Sequence, residues 1–527
     1  MASTTQHPEF TLAIVGGGGA CVAFLHHFVA SISAEQAQGM RIQVFEPRNS
    51  VGPGLAYHPD VDSLLLNRVA ETMSVCARDF STFTAWLRWK AHHAEELKAV
   101  SNTDLAEAFV PRAIFGRFLS DFFAETCAIA RRKHLQIEVV QARVTAIDKD
   151  CRYHLSAAGS THIADRVVLA VGNTGPRDHY GLDDHYRFIR SPYPISEQIA
   201  PTLIGQRICV IGSGLTAVDV VLSLQALGFT GQIDMISRSG RLPFVRGLPG
   251  PRHPLQFLTH AALEQLTQGG ARQLALRSLL RLLRAELRAI RCDWRTLFRS
   301  GSTPLQHLHE EVAAATQRRD WQLVLAATNE VIEYAWNALD SADQQTITRH
   351  FAKDWLARRA PMPLANALKL KALIEAGNLR LLAGDVRFEG LHENLIKAHY
   401  AATAETCEYD YVVNATGAAK WVECEQDSGV LWQLQQDGHA LRDERGGLQV
   451  EFASGALLDR HRQPDPHLRL LGHMTSGTYF FVSSLEMITK RARHMAEDLI
   501  RGLPSHLSAP AAPLASPSLT LRSNPCL

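Results

Sequence analysis

The 527-residue sequence contains no Cys-x-x-Cys pair. Its nine cysteines, at 21, 76, 127, 151, 209, 292, 407, 424 and 526, are scattered and odd in number. That excludes a thioredoxin-like dithiol and a zinc ribbon, and fits isolated thiols in a reducing compartment. There is no surplus of charge: 54 Lys+Arg stand against 53 Asp+Glu. Such a balance argues against nucleic acid or a membrane surface as partner. No run approaches the ~20 apolar residues of a membrane span. The opening "MASTTQHPEF" lacks the basic segment of a secretory signal, and four glycines interrupt the apolar stretch that follows. A cytoplasmic, unprocessed protein is the expectation. No Ser-His-Asp set, carboxylate pair or metal cluster stands out. The 24 histidines are scattered, and "AHHAEE" and "LHHF" read as helix faces rather than metal ligands.

What the chain does have is glycine in ordered places. Residues 11–15, "TLAIV", read as a short buried parallel strand. "GGGGACVAFLHHFVASI" follows as a helix pattern. In the fingerprint G-x-G-x-x-G, Gly16 makes the tight turn, Gly17 follows it, and Gly18 lets backbone approach a pyrophosphate at the helix N-terminus. Cys21 stands where a third glycine is usual. The partner strand "RIQVFEP", residues 41–47, supplies Glu46 for a ribose hydroxyl.

A second copy of the pattern lies at 206–229, "QRICVIGSGLTAVDVVLSLQALGF". Gly212, Ser213 and Gly214 form its turn, Thr216 lies in the first helical turn, and Ala217 takes the third small position. Its partner strand ends in Ser237-Arg238 instead of an acid, a pair that suits the 2′-phosphate of NADPH. The alternative is a solvated loop arginine. Two further segments, "ADRVVLAVGN" (164–173) and "YDYVVNATGAAK" (409–420), each join an apolar strand to a small-residue turn, at Gly172 and Gly417. They read as strands returning toward the flavin domain.

At ~150 residues per domain, the length predicts two to four domains. The fold class expected is α/β, with two Rossmann-like dinucleotide-binding domains, for FAD and NADPH, and a helical insertion. The expected boundaries are 1–190 (FAD, first part), 191–249 (NADPH, first part), 250–360 (insertion), 361–395 (NADPH, second part) and 396–503 (FAD, second part). The Pro/Ser/Ala-rich tail, 504–527, is expected to be disordered. Within the insertion, "ARQLALRSLLRLLRAELRAIRCDWRTLF" carries a basic stripe that reads as a solvated helix face. "RLPFVRGLPGPRHP", residues 241–254, reads as the loop leading into it.

These segments resemble the two-dinucleotide-fold flavoproteins. More closely, the chain resembles the FAD/NAD(P)-binding oxidoreductase family that includes flavin-dependent amino-acid N-monooxygenases such as aspartate N-monooxygenases. The resemblance covers nearly all of residues 10–500. Its pieces include "GLAYHPDVDSLLLNRVAETMS" (54–74), "FVPRAIFGRFLSDFF" (109–123), "EAGNLRLLAGDV" (375–386) and "GHMTSGTYFFVSSLEMITKRARHMAEDL" (472–499). The chain lacks a clean Baeyer–Villiger fingerprint, and Ala418 follows "NATG" where ornithine and lysine N-hydroxylases commonly have Tyr. The resemblance implies FAD and NADPH as cofactors and dioxygen and a small amine or amino acid as substrates, with oxygen transferred through a flavin hydroperoxide. It places Asn67 beside the flavin ring, with Asn67 and Tyr479 as catalytic candidates. Gly472 and the helix starting around 477–479 would close over the flavin, and Arg68 and Arg112 are candidates to hold a substrate carboxylate. Two other readings stay open: an NAD(P)H-dependent flavoprotein reductase or dehydrogenase, and a non-catalytic nucleotide-sensing scaffold. The sequence sets no oligomeric state.

Overall fold

The computed structural model describes residues 10–504 except 78, 92–103, 106–107, 205, 299–302 and 391–394. The tail expected to be disordered thus lies almost wholly outside the described residues.

Two parallel sheets organise the chain. The first has the strand order Ala456–Leu458, Pro464–Leu470, Arg166–Leu169, Phe10–Val15, Met40–Phe45, Gln136–Val140. Only its outermost pair, Ala456–Leu458 with Pro464–Leu470, is antiparallel. Phe10–Val15 is buried at every position, as a parallel strand covered on both faces must be. The helix Gly19–Ser31 follows and packs against the C-terminal helix Leu485–Arg501. Cys21 in the former and Met487, Ala492 and Ala496 in the latter are fully buried.

The second sheet repeats the plan. Its order is Leu379–Ala383, Gln232–Ser237, Arg207–Ile211, Tyr411–Asn414, Phe188–Ile189, all parallel. Each fold also carries a three-stranded antiparallel meander just before its returning strand. One runs through Val144–Lys149, Tyr153–Ala157 and Ser160–Ala164; the other through Val386–Gly390, Ile396–Tyr400 and Thr406–Tyr409. Tyr153–Ala157 and Ile396–Tyr400 alternate between buried and half-buried residues, the pattern of strands covered on one face.

This pairing corrects two expected boundaries. The division at 395/396 falls inside the second meander, because Ile396–Tyr400 pairs with strands on either side of it. Tyr411–Asn414 lies beside Arg207–Ile211 in the second sheet, so it does not return to the flavin fold. Only Arg166–Leu169 does, between Phe10–Val15 and Pro464–Leu470. Phe188–Ile189 also belongs to the second sheet, ahead of the boundary expected at 190.

The insertion is helical, running from His260–Thr267 through Leu276–Ala289 and Pro304–Ala315 to Ala352–Arg359. It has its own apolar centres, one around Leu263, Leu274, Trp336 and Leu339, another around Leu287 and Val324. The arginines of its basic stripe, Arg277, Arg281 and Arg288, are exposed. The insertion is also tied to the first fold. Trp336 Nε1 donates to the Gly477 carbonyl at 2.9 Å, and Arg491 pairs with Glu333 at 3.0 Å. Among the described residues no helix is long and apolar enough to cross a membrane.

Candidate functional site

Each fold ends its first strand in a glycine that no other residue replaces cheaply. Gly16 has φ +103°, and a Cβ there would lie 2.4 Å from the Ala170 carbonyl oxygen. Gly212 has φ +117°, and its Cβ would lie 2.6 Å from the Ala415 oxygen. The Gly16 N–H donates to Phe45 and the Gly212 N–H to Ile236, so each turn crosses from its own strand to the next. Gly18 and Gly214 then begin the two helices with nearly the same backbone, φ −81° in both. Cys21 and Ala217, at the third small position, are fully buried against their sheets. Burial pushes the Cys21 thiol far above its ordinary range, and the nearby Glu46 adds to this; the thiol is inert.

Glu46 is buried under the first turn. Its Oε2 accepts the Gly17 N–H at 2.9 Å, and its Oε1 accepts the Arg48 N–H at 3.0 Å. At the corresponding place in the second fold stands Ser237, whose Oγ lies 2.8 Å from Ser213 Oγ. Ser213 Oγ also lies 2.6 Å from the Arg241 carbonyl oxygen. Thr216 is half-buried in the first turn of the helix, and Arg238 is exposed with no carboxylate partner among the described residues. Arg238 acts electrostatically on Lys353, from the insertion; burial first, then Arg238, lowers the Lys353 pKa below the usual range.

The shape fits two dinucleotides. A Cβ built on Gly172, Gly214, Gly417 or Gly472 would meet nothing within 4 Å. Three of these, Gly172, Gly417 and Gly472, also have positive φ, of +78°, +90° and +106°. Bare backbone therefore faces open space at the strand ends, beside helix N-termini that favour phosphate. The first turn would hold FAD through Gly16, Gly17, Gly18 and Glu46; the second would hold the nicotinamide dinucleotide.

Beside the first turn is a cavity of about 200 Å³. Tyr57 and Leu485, two of its lining residues, also touch the start of the helix at Gly19: a Cβ there would lie 3.8 and 3.6 Å from them. The segment 66–74 supplies Asn67 and Arg68, the C-terminal helix supplies Glu486, and the insertion supplies Arg359. The sequence-predicted residues thus converge in part. The Asn67 carbonyl accepts Arg246 Nε at 3.1 Å, and its side-chain amide makes no hydrogen bond to the described residues. Arg68 pairs with Glu486 at 2.8 Å. Arg112 pairs at 2.7 Å with Asp219, on the helix Leu215–Ala226, and so clamps the two folds together. Burial opposes the Arg112 charge, but Asp219 and Tyr193 hold its pKa above the usual range. Both arginines expected to hold substrate already have acid partners.

Tyr479 does not join them. Its hydroxyl is directed to the carbonyls of Phe452, at 3.0 Å, and Glu451, and Arg491 lies over its ring at 4.1 Å. It is absent from the cavity lining, and its role is to pack the turn Ser476–Tyr479. The helix expected around 477 is a single turn, Ser476–Tyr479, and the long helix follows separately from Leu485. The residues that sequence reasoning missed are Arg246 and Arg359, which line the cavity from a loop and from the insertion. Neither sits in a motif. Among the described residues no group of three His, Cys, Asp or Glu is placed to hold a metal.

Residues 13–174 match the sequence model of the family described as FAD-NAD(P)-binding. A curated relative, uncharacterized protein YdhS of Escherichia coli strain K12, is 20% identical over 481 residues, 82% of this chain and 88% of the relative. Solved structures share the architecture. Ornithine hydroxylase PvdA from Pseudomonas aeruginosa aligns with a TM-score of 0.51 at 14% identity, over 93% of this chain and 99% of its own. Ornithine N-hydroxylase KtzI from Kutzneria sp. 744 gives 0.50 at 15% identity, over 94% and 99%. The cadaverine monooxygenase DfoA from Erwinia amylovora gives 0.50 at 15%, over 98% of each. Such identities establish a common fold. The chain has the two-dinucleotide architecture of flavoproteins, and its first fold is an FAD-NAD(P)-binding domain.

Proposed function

We propose that the chain is an FAD-dependent, NADPH-consuming monooxygenase that N-oxygenates a small amino acid or amine. The carrying observation is the cavity: it adjoins the first glycine turn, is sized for a small molecule, and is lined by four arginines, the Asn67 amide and the Glu486 carboxylate, with no cysteine among the lining residues. Thiol–disulfide exchange needs an attacking thiolate, and this lining supplies none. The ornithine, lysine and cadaverine enzymes that share this fold act on amines, which supports the reading.

Bound FAD would supply hydride acceptance and oxygen activation; the rest is the work of the chain. Glu46 and the backbone of Gly16–Gly18 hold the flavin nucleotide. Arg238, with Lys353 and Arg241 near it, offers the positive surroundings that a 2′-phosphate requires, so NADPH is preferred to NADH. Asn67 presents its free amide to ring or substrate. Phe481 and Leu485 keep water out. Attack requires a nitrogen lone pair, so the amine must shed its proton. Guanidiniums around the cavity favour that neutral form and lower the amine's pKa. The rate therefore rises with pH to a plateau, with its midpoint below the pKa of the free amine.

The test is oxygen uptake and product mass measured together with labelled dioxygen, across amino acids and amines. Label in the product of a stimulating substrate supports the reading. NADPH oxidation that never labels a product, while a quinone or protein carrier is reduced stoichiometrically, replaces it with a reductase.

A further inference from the structure

The helix Leu276–Ala289, inside the insertion, carries charge of one sign on one face. Arg277, Arg281, Arg284 and Arg288 recur at spacings of four, three and four residues. At ~100° per residue they fall within an arc of about 60°, and the row runs ~16 Å along the axis. All four are exposed, and none of their guanidiniums forms an ion pair or hydrogen bond among the described residues. The one acid of the helix, Glu286, is fully buried on the other side. Its Oε1 accepts the N–H groups of Gln256, Phe257 and Leu258 at 2.8, 2.6 and 2.8 Å, and its Oε2 lies 3.3 Å from His253 Nε2.

The leucines of the helix are committed as well. Leu279, Leu282 and Leu283 pack on the apolar centre around Leu263 and Trp336, and Leu287 belongs to the centre with Val324. Their burial fixes the helix but leaves the sign of the exposed face free. A merely solvated face takes both signs, as the chain does overall with 54 Lys+Arg and 53 Asp+Glu. Like charges one turn apart repel instead. Along one flank of the row lie Ser278, Ala285 and Ala289, half-buried or exposed. These short side chains form a shelf on which another backbone can come close.

The row is one side chain wide, and that selects among polyanions. An anionic bilayer spreads its charge in two dimensions and takes apolar anchors; among the described residues no exposed large apolar side chain lies between Phe257 and Leu305. Single-stranded nucleic acid takes aromatic faces for its bases. The ring beside the row, Trp294, instead holds Arg284 at 4.1 Å and Arg295 at 5.4 Å from its centroid. A helix with Asp or Glu at three- and four-residue spacing matches the row turn for turn and can lie on the shelf. We propose that the arginine face of Leu276–Ala289 docks an acidic helix of a partner protein, whose carboxylates pair with Arg277, Arg281, Arg284 and Arg288. None of the four lines the cavity, so the docking is independent of which reaction the flavin fold carries out.

The experiment is fluorescence anisotropy of the FAD-loaded protein with a labelled synthetic helical peptide bearing glutamates on one face at alternating three- and four-residue spacing. The comparison probes are a peptide of the same composition with its glutamates spread around the helix, phosphatidylglycerol vesicles and single-stranded DNA. The one-faced peptide is expected to bind at least tenfold more tightly than any of these, and less tightly as salt is raised. Arg281→Glu combined with Arg288→Glu should weaken it at least tenfold, and Arg281→Lys combined with Arg288→Lys should keep part of the binding. Arg132→Glu, at an equally exposed arginine of the first fold, should change nothing. All these side chains stand in solvent, so melting temperature and NADPH oxidation should match the parent, which separates lost docking from lost fold. Equal binding of the two peptides, binding that survives the double charge reversal, or an equal loss in Arg132→Glu overturns the proposal. Vesicles or DNA that bind as tightly as the one-faced peptide also overturn it, and reassign the face to lipid or nucleic acid.

Discussion

In the first fold the residue after the turning glycine is Gly17; in the second it is Ser213. The backbones around them are nearly superimposable in kind: Gly16 and Gly212 both carry positive φ under a carbonyl, and Gly18 and Gly214 both open a helix. What differs is the neighbour beneath. A Cβ at Gly17 would lie 2.7 Å from Glu46 Cβ. The shorter Ser237 leaves room for a side chain at 213, and the two hydroxyls meet at 2.8 Å. One residue pair thus replaces a buried carboxylate beneath the turn by two hydroxyls, with Arg238 beside them. On the proposed reading, the same turn would serve two nucleotides, with selectivity set at the end of the second strand, one residue away from the shared geometry.

Substitutions at these positions test how far the likeness and the difference extend. Gly16→Ala and Gly212→Ala should behave alike. Each forces a side chain into a left-handed conformation and against a carbonyl carbon or oxygen, at a cost on the order of 3 kcal/mol or more. Urea titration of both variants checks this, and a large loss in only one would break the equivalence of the turns. Arg238→Ala should weaken NADPH by about ten- to hundred-fold, equivalent to ~1.5–3 kcal/mol, with NADH nearly unchanged. Equal losses in steady-state assays with the two nucleotides would show Arg238 serving only the fold. Gly17→Ser should cost ~1–3 kcal/mol by overpacking against Glu46, with FAD content falling accordingly. The reciprocal Ser213→Gly should cost ~1 kcal/mol or less for one hydroxyl contact. Similar effects of the two in melting curves would mean that Glu46 and Ser237 do not explain the difference.

The turns were legible in the sequence because a glycine fingerprint is local. Strand, turn and helix lie within about twenty residues, and the steric demand at Gly16 or Gly212 leaves a mark in the residue type itself. Arg166–Leu169 and Tyr411–Asn414 read alike in the sequence, and only the first returns to the first sheet. An apolar tetrapeptide carries no record of which sheet accepts it. Phe188–Ile189 is too short to show any period. At the site, Asn67, Arg68 and Arg112 were found through their segments, but their partners Glu486 and Asp219 come from distant helices. Arg246 and Arg359 meet only because Val245 pairs with Met362 across the whole insertion. Tyr479 was misplaced because a motif gives position along the chain, not the direction of a phenol; Arg491 and two backbone carbonyls set that direction.

The division of labour between the two folds is tested most directly by one paired measurement. Gly18→Val and Gly214→Val are purified side by side, and visible spectra are recorded before and after anaerobic NADPH. A Cβ at Gly18 has its nearest contact at 3.6 Å and one at Gly214 has none within 4 Å, so the bulk falls on bound nucleotide more than on the fold. Gly18→Val should be colourless. Gly214→Val should be yellow and resist bleaching by NADPH, while dithionite still reduces it. A yellow Gly18→Val protein, or a Gly214→Val protein that loses its colour or bleaches normally with NADPH, would contradict the assignment of FAD to the first fold and NADPH to the second.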